Sequence, residues 1–302
     1  MRLREVLTSG TWAVTTELGP PKGVDVGRCL DLAESQRGWV HAINVTDQQS
    51  AVMRLGSIAT CRLVSERGFE TIVQLCCRDR NRIALQSDIL SASALGLHNV
   101  LCLSGDYTTH GDHPGAKPVY DLDSVQLIKA AVGLREGRDM AGNELGGSPD
   151  LFIGAVVNPG ADPFGPQLAL MEKKVEAGAQ FFQTQAVFDP AAFERFAKQT
   201  RHIPAPVMVG VVMLKSAKMA DFMNKHIPGV SIPEETVGRL ADAEDRVAAS
   251  IDIAARIIRE TKDMCAGVHI MPLGWDKRVR RVLEAAGIAP AYPDEIDQGA
   301  GR

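Results

Sequence analysis

Residues 15–23 read TTELGPPKG. They close an apolar run that begins at Trp12, and they close it on a carboxylate, Glu17. Gly19, Pro20 and Pro21 follow almost at once. Neither proline can donate to a strand ladder, so the extended segment has to stop there. An apolar strand that ends on an acid, with a stiffened turn behind it, reads as a buried strand whose C-terminal end opens into a pocket. The prolines fix where the acid points.

The pattern recurs along the chain. Short apolar runs that read as strands cover 12–17, 40–45, 71–76, 99–103, 151–157, 180–184, 206–211 and 267–271. Amphipathic segments at 24–35, 54–67, 80–94, 123–132, 166–177, 190–200 and 216–224 lie between them. A long one, 233–261, precedes the last strand, and 275–286 follows it. Several of these end on glycine, as at ERGF, ALGL and EAGA, a helix C-terminal signal. Nearly continuous apolar strands alternating with helices predict a parallel sheet covered on its outer face. Eight such units in 302 residues predict a single-domain α/β protein, a (β/α)8 TIM barrel over 1–302, with a frayed tail after about residue 290. The competing fold, an open doubly wound sheet, calls for a glycine-rich dinucleotide fingerprint after the first strand. ELGPPKG is not one, because its prolines remove the amide donors that cradle a pyrophosphate.

Composition narrows the function classes. The formal charge of −4 leaves no basic footprint for nucleic acid. No apolar run approaches the ~18 residues of a spanning helix, and MRLRE lacks the apolar stretch of a signal peptide. The six cysteines show no CxxC spacing and read as reduced thiols of a cytoplasmic protein. Cys76 and Cys77 are adjacent on a strand, so they point to opposite faces and read as two separately packed thiols.

Barrel active sites form at the C-terminal ends of the strands. The polar residues collected there are Glu17, Thr46 and Asp47, Arg78 and Asp79, Ser104-Gly105-Asp106, Asn158, and Thr184 with Gln185. Glu17 and Asp106 would face one cavity from different strands, which suits split acid and base roles. The competing reading has both capping helices or pairing with nearby arginines. The loop GDYTTHGDHPG carries His110, Asp112 and His113, which read as a flexible polar loop ahead of a metal site. Methionines between 208 and 223 read as core filler, and KRVRR at 277–281 as a solvated helix face. His41, His202, His226 and His269 are scattered and carry no assigned role.

TTELGPP, INVTD, QLCCRDRNRIALQSDILSASALGLHNVLCLSGD, KPVYDLDSV, KKVEAGAQFFQTQAVFD and IPGVSIPEE together resemble the methylenetetrahydrofolate reductase family across residues 5–290. The CRDRN…QSD stretch is similar to reductase domains fused to homocysteine methyltransferases. GVHIMPLGW is similar to reductases of anaerobic one-carbon pathways. The resemblance implies a barrel holding a flavin, usually FAD, that reduces 5,10-methylenetetrahydrofolate to 5-methyltetrahydrofolate or runs the reverse oxidation. NADH or NADPH is the implied electron donor. Hydride passes from the reduced flavin to a 5-iminium carbon. Protonating N10 frees that iminium, and the match to E-x-x-P-P assigns the acid to Glu17. Asp106, in LSGD, carries over as the carboxylate beside flavin and pterin, and Gln185 as the amide that reads the pterin edge.

For the flavin, the resemblance implies Thr46, Ser104, Gly105, Asp106, Tyr120 and Asp121, with Lys173 and Lys174 beside the phosphates. Some positions depart from the family's best-known bacterial members. Gln74 stands for a flavin-contacting His, Asn158 for a Tyr, Trp275 for a folate-contacting Arg, and Met219 for a Gln. Leu18-Gly19 replaces an aromatic pair, and Phe222 sits one position from the phenylalanine that closes over the ring. The departures leave room for FMN or no flavin, and for electrons arriving through a partner subunit. Two rival functions follow: a methyltransferase barrel working between folate and a corrinoid, and a flavin-free folate-binding subunit. A homo-oligomer is compatible with all of them.

Overall fold

The structure, a computed structural model, describes residues 1–296. Eight parallel strands close into a barrel in chain order. They are β1 (Ala13–Leu18), β2 (Ala42–Val45), β3 (Thr71–Cys76), β4 (Asn99–Leu103), β5 (Phe152–Val157), β6 (Phe181–Ala186), β7 (Val207–Val212) and β8 (Gly267–Met271). All eight expected strands are present, which settles the barrel against the open sheet. Closure sets Thr15 beside His269 across the β1–β8 seam and Glu17 beside Asn44 across β1–β2.

Helices α2 (Gly27–Glu34), α3 (Ser57–Ser65), α4 (Arg82–Ala94), α5 (Ser124–Arg135), α6 (Gly165–Glu176), α7 (Pro190–Gln199) and α8 (Ala217–His226) lie where the patterning puts them. The segment 233–261 is two helices, α9 (Glu234–Asp242) and α10 (Arg246–Thr261). The break comes at an N-cap: Asp245 accepts from the backbone N–H groups of Val247 and Ala248, and Ala243 is extended. After β8 a short 3-10 turn (Asp276–Arg278) leads into α11 (Val279–Ala285).

An N-terminal helix, α1 (Leu3–Thr8), escapes the sequence reading because six residues give too little periodicity. It stoppers the barrel's N-terminal end, packing Leu3, Val6 and Leu7 against Ala13, Ala42, Ile72, Leu101, Phe152, Phe181 and Met208. Past residue 290, where a frayed tail is expected, Tyr292 donates its backbone N–H to Gly38 O and its hydroxyl to Met1 O. A short helix, α12 (Pro293–Ile296), follows, and the rest of that expectation lies outside the described residues. Among the described residues no helix is long and apolar enough to cross a membrane.

The barrel's interior changes character along its axis. At the stoppered end it is apolar. One layer higher sit buried polar groups, Thr15, Asn44, Gln183 and His269, hydrogen-bonded to one another. Above them lies the mouth.

Candidate functional site

At the C-terminal mouth a cavity of about 510 Å³ opens, within the range that holds small molecules and cofactors. Glu17 of β1 and Asp106 of the β4–α5 loop both line it. Other clefts exist, including one of about 440 Å³ between the β5–α6 and β6–α7 loops. The mouth is the candidate because it gathers strand-end acids, amides and a lysine in one space.

Glu17 is 9% exposed, and two neighbours address its oxygens. Gln49 donates to Oε1 at 2.8 Å, while His269 Nε2 lies 3.9 Å from Oε2. His269 Nδ1 is 3.2 Å from Asn44 Nδ2 and 3.1 Å from Thr15 Oγ1. Asn44 Nδ2 also reaches Thr16 O, which fixes that amide as a donor. Nδ1 therefore accepts, and in the neutral ring the hydrogen sits on Nε2, on the Glu17 side. Burial holds the Asp276 carboxyl above the usual aspartate range, and the nearby charge of Glu17 adds to it.

The β4–α5 loop that carries Asp106 is clamped from below. Arg78, 2% exposed, donates to Asp106 O and to Gln48 O, each at 3.1 Å, while Asp79 neutralises it at 2.6 Å. Gly105 has φ +92, and a Cβ there would overlap Cys76 Sγ, so only glycine lets the loop pass this close. Asp106 Oδ2 accepts from the Ser50 N–H at 3.0 Å. Asp47 turns away from the cavity chemistry: its buried carboxylate takes two bonds from Arg80, at 2.6 and 2.8 Å, and one from the Cys76 N–H.

Of the residues singled out from the sequence, Glu17, Asp47, Gln74, Arg78, Ser104, Gly105, Asp106, Asn158, Lys174, Thr184 and Gln185 line this cavity. The lysine pair divides. Lys173 faces solvent, while Lys174 is 6% exposed and donates to Val156 O at 2.7 Å. Burial pushes the Lys174 ammonium down to about 8. Asn158 spends its amide on Gly160 N–H and Pro228 O, joining the β5–α6 loop to the segment after α8.

Thr46 is buried behind the rim, and its Oγ1 has no partner among the described residues. Tyr120 sits behind the β4–α5 loop and donates its hydroxyl to the carbonyls of Gly105 and Asp106. Asp121 pairs with Arg82 on the surface, which holds its carboxyl down at about 2. Phe222 is 58% exposed on α8, its ring tilted against that of His226 at 4.6 Å. Trp275 packs its ring against the cations of Lys215, at 5.8 Å, and Arg278, at 4.9 Å. Asp112, in the histidine-bearing loop, pairs with Lys22 and His113 and accepts from the Met53 N–H, so it laces three mouth loops together.

Sequence reasoning gave no role to Gln49, Gln183 or His269. Strand parity held the signal for two of them. Counting in twos from the stoppered end gives Ala13-Thr15-Glu17, Phe181-Gln183-Gln185 and Gly267-His269-Met271, so each inward row places a polar residue in the layer below the mouth, and the first two stay polar at the mouth itself.

A profile of the family described as "Methylenetetrahydrofolate reductase" matches residues 2–287. The probable methylenetetrahydrofolate reductase (NADPH) of Caenorhabditis elegans is 22% identical over 239 residues, 76% of this chain and 34% of that one. Methylenetetrahydrofolate reductase (NADH) 1 of Zea mays is 25% identical over 237 residues, 72% of this chain and 38% of that one. The chain thus matches little more than a third of these relatives' length. A solved Clostridium thermocellum protein that binds two copies of 5-methyl-5,6,7,8-tetrahydrofolic acid superposes with a TM-score of 0.65 at 14% identity, covering 95% of this chain and 98% of its own. A 2,3-dimethylmalate lyase superposes with a TM-score of 0.54 at 13% identity, covering 99% and 92%.

Proposed function

Because the chain belongs to the methylenetetrahydrofolate reductase family, we propose that it interconverts 5,10-methylenetetrahydrofolate and 5-methyltetrahydrofolate with a flavin, FAD first, held in the barrel mouth. The observation that carries this reading is the meeting of Glu17 and Asp106 at one cavity from opposite sides of a loop clamp.

The residues fit a flavin. Lys174 spends one donor on Val156 O and faces the cavity with an ammonium, and Thr46 keeps an unmatched hydroxyl at the end of β2. Lys174, Thr46, Gln74, Ser104 and Gly105 would hold it. When bound, the flavin supplies the hydride and stores electrons delivered by NADH, NADPH or a protein partner.

The chain's own groups do the rest. Glu17 gives its proton to folate N10 and opens the bridging ring to the 5-iminium cation. The Nε2–H of His269, facing Oε2, steadies the carboxylate left behind. The negative charge of Asp106 favours the cation while it lasts. Gln185 offers a donor and an acceptor to the pterin edge. The folate-binding neighbour of the same fold makes folates the first ligands to test.

The test is direct. The purified chain should be yellow, or take up FAD, and should bleach anaerobically with NADH, NADPH or a chemical reductant. Methylenetetrahydrofolate should then restore the oxidised spectrum. A chain that takes up no flavin loses the reading, and one that binds methyltetrahydrofolate without flavin becomes a folate-binding subunit.

A further inference from the structure

The β2–α3 loop crosses the mouth as a strap. Of residues 48–51, Gln48, Ser50 and Ala51 take φ values of 48, 56 and 56°, left-handed conformations reached here without a glycine. Such strain persists only where surroundings impose it. Arg78 donates to Gln48 O, and the Gln48 side chain exchanges two hydrogen bonds with the Arg54 backbone, at 2.7 and 3.2 Å. From the other side Gly111 packs so close to Ala51 O that a Cβ could not be added. The result is that consecutive residues address both site carboxylates: the Gln49 amide reaches Glu17 Oε1 and the Ser50 N–H reaches Asp106 Oδ2.

We propose that Gln49 is a positioning residue that acts through Glu17: held by the strained strap, its amide fixes the carboxyl's rotation and reserves Oε1 as an acceptor, so that the transferable proton is carried on Oε2. The inference rests on Glu17 being the acid. A carboxylic acid has one carbonyl oxygen and one hydroxyl. A donor fixed on Oε1 makes that oxygen the carbonyl and leaves Oε2, which no group among the described residues reaches within hydrogen-bond distance (His269 Nε2 stands 3.9 Å away), to bear the hydrogen. The strap therefore decides which oxygen faces the substrate with a proton.

Loss of the bond frees the carboxyl to rotate and lets either oxygen carry the hydrogen. The ionisable groups around Glu17 are His269 on β8, Asp276 in the turn after it, and, on the cavity wall, Asp47, Arg78, Asp106 and Lys174. Removing the neutral Gln49 amide leaves all of them in place. Gln49 is itself exposed, so its replacement spares the core.

The test compares wild type with Gln49→Met, which keeps length but has no donor, and with Glu17→Gln. In flavin-free protein labelled with 13C-carboxyl glutamate, the resonance missing from Glu17→Gln identifies Glu17. Its chemical shift should move in Gln49→Met, where Oε1 no longer accepts from an amide. In flavin-loaded protein, oxidation of reduced enzyme by methylenetetrahydrofolate should slow about tenfold, the loss of one hydrogen bond to a charged group. Flavin reduction and folate affinity should stay within about twofold. An unmoved resonance overturns the proposal, and so does an equal fall in both half-reactions, which would mark a structural role. If Glu17→Gln itself keeps full folate turnover, the acid assignment fails instead, and the carbon-13 resonance still reports whether Gln49 holds Glu17.

Discussion

The two halves of the barrel mouth are built differently. From β1 to β4, each strand end is fastened to its neighbours: Gln49 onto Glu17, Ser50 onto Asp106, Arg78 beneath both loops, Tyr120 behind one of them. From β5 to β8 the mouth is looser. Gln185 is exposed, Phe222 stands 58% exposed on α8, and Trp275 is half-buried against Lys215 and Arg278. A proton donor has to be placed to a fraction of an ångström, because misplacement enters the rate directly. A surface that admits and releases alternating ligands has to give. The tied half suits proton chemistry and the loose half suits exchange.

The strongest way to break that contrast is Glu17→Gln. The amide keeps the shape and can still meet Gln49, but it has no acid proton. Reoxidation of the reduced enzyme by methylenetetrahydrofolate should fall ~10²–10⁴-fold, the usual worth of a placed general acid. Flavin reduction by the electron donor should change by less than about twofold, since nothing in that half-reaction needs N10 protonated. Stopped-flow absorbance separates the two steps. Equal losses in both would mean that Glu17 serves the site as a whole.

The tied half should also be the rigid half. Asp47 is wholly buried and takes two bonds from Arg80, which also holds Asp88 at 2.9 Å. Asp47→Asn should lower unfolding free energy by ~1.5–3 kcal/mol, the worth of hydrogen bonds to a charged group. Urea unfolding followed by circular dichroism measures it. A loss below about 1 kcal/mol would place this pair with ordinary surface bridges and take away the scaffold argument.

How much of this was legible in the sequence follows the same division. The strands were readable because a parallel sheet buries both faces, so each is a short apolar run between breakers. The break inside 233–261 was readable in principle, because Asp245 is an N-cap, but two in-phase amphipathic helices look like one. Residues on the strands, Glu17 and Lys174's neighbour Val156 among them, are placed by the barrel's own geometry. Residues in the loops are placed by contacts between segments far apart in sequence. Gln49 meets Glu17 across 32 residues, and no local pattern announces that. His269 was legible by parity and passed over because a single histidine in an apolar strand is a weak signal. The lysine pair at 173–174 shows the helical case: adjacent residues sit about 100° apart on the helix, so one faces the barrel and the other faces water.

That division gives a sharper prediction on cofactor binding. Lys174 faces the cavity as a buried cation, and burial brings its ammonium down to about 8. An anionic flavin favours the protonated form. Affinity should therefore be full below about pH 8 and should decline as pH rises through it, by at most one proton's worth, tenfold per unit. Lys174→Met should cost about tenfold in affinity at neutral pH, the worth of one charge-assisted bond, and should flatten the alkaline decline. Lys173→Met, changing a solvated neighbour, should do neither. Fluorescence quenching on flavin binding reads all three. A decline that persists in Lys174→Met belongs to another group.

The smallest effect expected is on the loose side, at Gln185, and it tests the contrast most finely. Its side chain is exposed at the end of β6, with no scaffold of the kind that holds Glu17. An amide that only reads the pterin edge binds substrate and transition state alike. Uniform binding changes KM and leaves kcat alone. Gln185→Leu should raise the folate KM about fivefold, one neutral hydrogen bond's worth, with kcat within about twofold and flavin reduction untouched. A fall in kcat instead of a rise in KM would mean that Gln185 is held to the reacting atoms as tightly as Glu17. The mouth would then be a single preorganised ring, and the exchange of reductant and folate would need a moving part elsewhere.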